Sequence, residues 1–170
     1  MKLPITIAAA LASLVIAGSC LADTKELARA GAWKAFGGTS NDGTRVCGMS
    51  SSGSGKFFSV KYYAGDDTLT IQLGNDQWTL KDKAKVKTVM RIDKEAPWNA
   101  TATGMHFSDG DAGLEFDINS KQIEEFIREF HDGNKISVTF PDDEVSSWLF
   151  TLDGSDTIVV KFAGCLKDLK

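Results

Sequence analysis

Histidine, proline and cysteine are scarce in this 170-residue chain, which has two, three and three of them respectively. Two histidines leave little material for imidazole catalysis or a zinc site. Three prolines make no Pro-rich linker, and without internal repeats or low-complexity tracts the chain shows no seam at which to divide it into domains. Excess positive charge is also missing. Nineteen Lys and Arg face 23 Asp and Glu, for a net charge of -4 and a pI near 5.2, which argues against nucleic acid as a partner, since such binding rests on neutralising phosphates. No Walker loop and no Gly-x-Gly-x-x-Gly turn appear, so no cofactor is expected. Ser50, Ser51, Ser52 and Ser54 sit in no Gly-x-Ser-x-Gly elbow and have no identifiable base, so they are not read as nucleophiles. What remains is the composition of one soluble globular domain, 42% hydrophobic and 25% charged. A chain of this size hides roughly two thirds of its unfolded surface, enough for a core without metals or many disulfides.

The amino-terminal segment reads as an address. Lys2 precedes an almost unbroken apolar or small-residue run from Leu3 to Gly18, followed by Ser19, Cys20, Leu21, Ala22 and Asp23. This is the layout of a signal peptide over residues 1–22, with cleavage after Ala22 and a single β-rich domain over 23–170. No later apolar stretch reaches the ~18 residues of a membrane-spanning helix. A second reading makes Cys20 a lipid attachment site, although Ala17 stands where such a motif prefers Leu. Either reading delivers the domain to the periplasm or beyond, leaving Cys47 and Cys165 as the cysteines of the folded part. Two thiols in an oxidising compartment are expected to pair. A loop of that length contributes up to about 5 kcal/mol in the chain-entropy picture. The competing reading, a reactive or metal-binding thiol, finds only Arg45 as a nearby cation in the sequence.

Short aromatic and β-branched runs over 45–50, 56–63, 69–73 and 77–80 are separated by Ser51 to Gly55, Ala64 to Asp67 and Gly74 to Asp76, all turn chemistry, and predict an antiparallel meander. Asp23 to Arg29 is polar and is expected to fray. Val86, Thr88, Met90 and Ile92 alternate with Lys85, Lys87, Val89, Arg91 and Asp93, the pattern of a strand with one wet face. Residues 98–103 and 114–118 predict further strands. The period then changes: Ile123, Phe126, Ile127 and Phe130 lie one helical face apart from Glu124, Glu125, Arg128 and Glu129, predicting a helix over 121–131 with Ser120 as N-cap and Gly133 as stop. Residues 136–140 and 147–152 predict a hairpin about Pro141 to Glu144. A last helix over 156–167, capped by Ser155, carries Cys165. The predicted fold is mainly β (α+β), an antiparallel β-sandwich or partly open barrel with two short amphipathic helices.

This order of features resembles the invasion-associated locus B family of secreted alphaproteobacterial proteins. The resemblance rests on Trp33 after a processed leader, Cys47-Gly48-Met49, and the stretch from Leu69 through Lys85 to Ile92-Asp93. It continues through the helix from Ile123 to Phe130, Gly133 to Phe140, and Trp148 through Leu152-Asp153-Gly154-Ser155 into the last helix. This chain has no cysteine between Cys47 and Cys165, where that family usually carries more. The resemblance implies an exported, β-rich, non-enzymatic protein linked in some bacteria to host-cell association, and it brings no catalytic residues.

The candidates for chemistry are few. His131 falls at a helix C-terminus, where the dipole favours a cation. His106 lies near Ser108, Asp109 and Asp111, a set that a hydrolase or metal-dependent enzyme can use, although Asp-Gly-Asp is first of all a turn. The same run lacks the third oxygen ligand of a calcium loop. Trp33, Trp78 and Trp148 are expected in the core. Trp98, with Tyr62 and Tyr63, is a candidate exposed aromatic surface for sugar, peptide or protein contact. Asp142, Asp143 and Glu144 form an acidic tip able to steer a basic partner such as a cell-wall hydrolase. The leading expectation is a non-enzymatic binding protein of the periplasm or exterior whose partner is a protein or envelope component, with inhibition of a basic cell-wall hydrolase and a His106-dependent enzyme as alternatives.

Overall fold

A computed structural model describes residues 23–141 and 147–169. Among these residues ten strands form one antiparallel sheet: β1 (Asp23–Ala30), β2 (Trp33–Thr39), β3 (Arg45–Gly53), β4 (Lys56–Tyr63), β5 (Thr68–Asn75), β6 (Lys85–Ile92), β7 (Trp98–His106), β8 (Ala112–Asn119), β9 (Lys135–Thr139) and β10 (Trp148–Thr151). Their order is β1-β2-β3-β4-β5-β8-β7-β6-β9-β10. The helices are α1 (Ile123–Asp132), entered through a 3-10 turn, and α2 (Ser155–Leu169). The predicted fold class therefore holds: a mainly β domain, an open antiparallel sheet with two helices.

The sheet curls about its core without closing. Its two edge strands come together through backbone rather than a ladder. Gly31 adopts φ +54 under the carbonyl of Asp153, and a side chain at Gly154 would come within 2.6 Å of the Ala30 backbone. Trp33 Nε1 donates to the Thr151 carbonyl at 2.7 Å, satisfying the one donor of a fully buried indole. From Trp33, rings run in both directions: to Phe130 at 4.8 Å and Phe126 beyond it, and through Phe58 to Phe150 and Trp148, which stacks on Trp78 at 4.6 Å. Helix α2 buries Ile158, Val159 and Phe162 against β1 to β3. The Cys47–Cys165 disulfide joins β3 to α2 with a Cα–Cα distance of 5.9 Å, as the two-thiol reading expected.

Three local expectations are corrected. Asp23 to Arg29 does not fray but forms most of β1, paired along β2 with a bulge between Glu26 and Ala28. Its side chains are largely exposed apart from Ala28 and Ala30, which pack on the core, so backbone hydrogen bonds to β2 do most of the holding. Residues 77–80 form no strand; Trp78 leaves the sheet after β5 to stack on Trp148. The helix caps also shift. Asn119, not Ser120, accepts from Lys121 N. Ser155 is already helical and donates its hydroxyl to the Phe130 carbonyl, while the Gly154 carbonyl accepts the bond from Ile158 N.

Candidate functional site

Alternation along the strands gives the sheet a second face, turned away from the helices. In β4, Phe58 and Val60 enter the core, so Phe57, Ser59, Lys61 and Tyr63 lie on this other face. Strand register aligns them into rows. One row crosses from Lys34 through Ser50, Ser59, Gln72 and Glu115 to Thr103, and Lys85 Nζ donates to the Thr103 hydroxyl at 2.7 Å at its end. The next row runs Glu26, Phe36, Gly48, Lys61, Thr70, Asp117. Over these rows lies a groove of about 1010 Å³, bounded by β1 to β5 and β8 and by the loops carrying Asp42 and Asp66.

The groove's charged groups are mostly acidic, set beside the apolar Phe36, Val46 and Phe57. Five carboxylates line it, Glu26, Asp42, Asp66, Glu115 and Asp117, against two ammonium groups, Lys34 and Lys61. Glu26 is engaged by Arg29, at 2.6 and 3.2 Å, and Asp42 by the Ser40 hydroxyl and Thr44 N–H, which together hold its pKa below the usual carboxylate value. Glu115 accepts from Gln72 Nε2 at 2.7 Å, and Asp117 from the Thr70 hydroxyl at 3.0 Å. Burial pulls the Lys61 pKa down and the Glu115 charge pulls it back. Burial likewise raises the Tyr63 phenol, aided by Glu115, Asp42 and Asp66. Ser59 Oγ and Gln72 Oε1, on residues that are 0% and 4% exposed, have no hydrogen-bond partner among the described residues.

Phe57 also borders a second hollow of about 470 Å³. Here the Phe107 ring, edge-on to Phe57 at 5.6 Å, lies across Gly74 and Gly113, where an added Cβ would come within 2.8 and 2.6 Å of it. Asp109 and Asp111 line this hollow, with Asp109 accepting from Asp111 N at 3.1 Å as a turn does. His106 is exposed at the end of β7. Among the described residues no group of three or more His, Cys, Asp or Glu is arranged to hold a metal. His131 lies in the last turn of α1 against Asp132, at 2.7 Å.

The three aromatic candidates do not form one surface. Tyr62 and Tyr63 are consecutive in β4 and face opposite ways: Tyr62 packs on the core with its hydroxyl on the Asp66 carbonyl, while Tyr63 lines the groove. Trp98 lies on β7, with β5 and β8 between it and β4, and is edge-on to Phe126 at 5.6 Å. Its Nε1 donates to the buried Glu129 carboxylate at 2.8 Å. Asp142, Asp143 and Glu144 lie outside the described residues, as does the segment 1–22. The residues that sequence reasoning missed are Ser59, Lys61, Gln72, Glu115 and Asp117. Their alternation with core residues was visible, but the register that brings them together from three strands was not.

Fold and site together define an open, curled antiparallel sheet with two helices, tied by one disulfide and carrying a ligand-sized polar groove on its free face. No protein-family model matches the chain, and no curated protein matches it in sequence. Among solved structures, the crystal structure of invasion associated protein B from Bartonella henselae is similar, with a TM-score of 0.58 over 86% of this chain and 99% of that one, at 12% identity. At that identity the likeness is one of fold, and at that level it agrees with the resemblance read from the layout of the sequence.

Proposed function

We propose that this chain is a non-enzymatic binding protein acting outside the cytosol, in the periplasm or at the exterior, and that the groove on its free sheet face is the contact surface for a protein or envelope component. The groove carries this reading. Its lining comes from six strands whose register is fixed by continuous ladders, so the surface is organised before any partner arrives. The disulfide supports an oxidising compartment. No helix among the described residues is long and apolar enough to cross a membrane. The structural neighbour is an invasion-associated protein, which supports a role in host association.

The test blocks the groove without touching its carboxylates. Lys34→Trp combined with Thr68→Trp places two indoles on opposite sides of the lining. Binding of labelled protein to intact host cells or to envelope vesicles is expected to fall about tenfold or more, the loss of roughly 1.4 kcal/mol or more, with an unchanged melting midpoint. Equal binding by the blocked variant overturns the groove as the contact surface. Turnover of an ester, peptide or glycan that disappears with His106→Ala overturns the non-enzymatic reading.

A further inference from the structure

Resting on the groove as the contact surface, we infer that its occupant is an extended cationic peptide segment, about seven residues long, whose Lys or Arg side chains are received where Gln72, Glu115 and Asp117 meet. The first support is a hydrogen-bond inventory. Gln72 spends its amide N–H on Glu115 and keeps a buried carbonyl oxygen without a donor. The reverse amide orientation would set that oxygen against the carboxylate, so the orientation is dictated by its neighbour. Thr70 spends its hydroxyl hydrogen on Asp117 Oδ1. The unspent capacity at this end of the row is therefore acceptor capacity, in one amide oxygen and the remaining lone pairs of two carboxylates. Ser59 Oγ, buried beside Gln72 in the same row, lacks a partner as well. Of these groups Glu115 and Asp117 line the groove, with the buried Gln72 in register beside Glu115, and a ligand that supplies several donors and a positive charge, an ammonium or guanidinium group, matches that acceptor-rich end.

Charge and size select the carrier. Five carboxylates against two ammonium groups leave the lining net negative, and a cationic segment is drawn in by that field. The groove crosses six neighbouring strands, five spacings of ~4.8 Å or about 24 Å, the reach of about seven extended residues. A single small cation fills only one end. The chain's own Lys61 shares the groove with Glu115 and is partly desolvated there, so it competes with an incoming cation for the same carboxylate.

Fluorescence anisotropy of the purified, oxidised protein with a labelled heptapeptide alternating Lys and Thr tests the inference, with the Glu-Thr counterpart and spermidine as the other arms. The Lys-Thr peptide is expected to bind, more weakly at about 300 mM than at about 50 mM salt. Glu115→Gln and Asp117→Asn should each weaken it about tenfold, and Lys61→Gln should tighten it about threefold. Amide shift changes should centre on Thr70, Glu115 and Asp117. Should Glu115→Gln fail to fold, the exposed Asp117 carries the test. No binding, equal binding of the Glu-Thr peptide, or indifference to Asp117→Asn overturns the inference, and spermidine binding as tightly as the peptide overturns the peptide in favour of a small polyamine. If the peptide fails while cell binding still depends on Lys34 and Thr68, the groove stands as the contact surface and only the occupant's chemistry is wrong.

Discussion

Asp93 shows how much one side chain organises here. It closes β6 in a left-handed conformation, φ +46, and its carboxylate accepts from Asn134 N at 2.9 Å, Asn134 Nδ2 at 3.1 Å and Lys135 N at 3.2 Å. The turn from α1 into β9 is held against β6 by these bonds, led by the one from the Asn134 backbone, which hold the Asp93 pKa below the usual carboxylate value. Asp93→Ala is expected to lower the unfolding free energy by about 1–2 kcal/mol. Because the folded pKa is depressed, this contribution is present above the unfolded value and is lost as pH falls through the folded one. Urea unfolding of wild type and variant should therefore differ at about pH 7 and differ progressively less as pH falls below the ordinary carboxylate range. In the sequence Asp93 read only as the last residue of an alternating strand, since its partners lie more than forty positions away.

At the scale of elements, what was legible followed periodicity. Strand β6 buries Val86, Thr88, Met90 and Ile92, the alternate set that its pattern isolates, and α1 buries Phe126 and Phe130 from its apolar stripe. Both signals are local and repeat within a few residues. β1 was illegible because only Ala28 and Ala30 mark its inward face, on an edge strand that is otherwise mostly polar and exposed, and much of its pairing is in the backbone. The meeting of the sheet's edges was equally hidden. It depends on Gly31 passing beneath Asp153, a contact between residues more than a hundred positions apart. Gly31→Ala adds a Cβ there at positive φ and is expected to cost roughly 1–3 kcal/mol. Hydrogen exchange should then quicken in β1, β2 and the start of α2 and stay unchanged in β6 and β7. Uniform exchange changes would show that the contact is not local.

For the whole molecule, composition and the apolar amino-terminal run led to the expectation of one β-rich unit with a paired Cys47 and Cys165, and the groove escaped notice because it belongs to no segment. Each contributing strand looks like an ordinary wet face; only the order β3-β4-β5-β8 makes Ser59, Gln72 and Glu115 neighbours. The disulfide spans 118 positions and so divides the domain unequally, with β1 and β2 outside the covalent ring and nearly everything after them within it. A pull on the amino-terminal end relative to α2 meets that ring as a mechanical stop. Only residues 23–46 and the short end 166–169 lie outside it, so about 95 Å of extended chain can pay out before the load passes to the sulfur link. Single-molecule stretching between positions 23 and 169 is expected to show this short release when oxidised and about 500 Å once reduced. The strands that pay out form one wall of the groove and carry Trp33 out of the core, so the groove is dismantled first while the segment closed by Cys47 and Cys165 is held as a ring, a graded release under load.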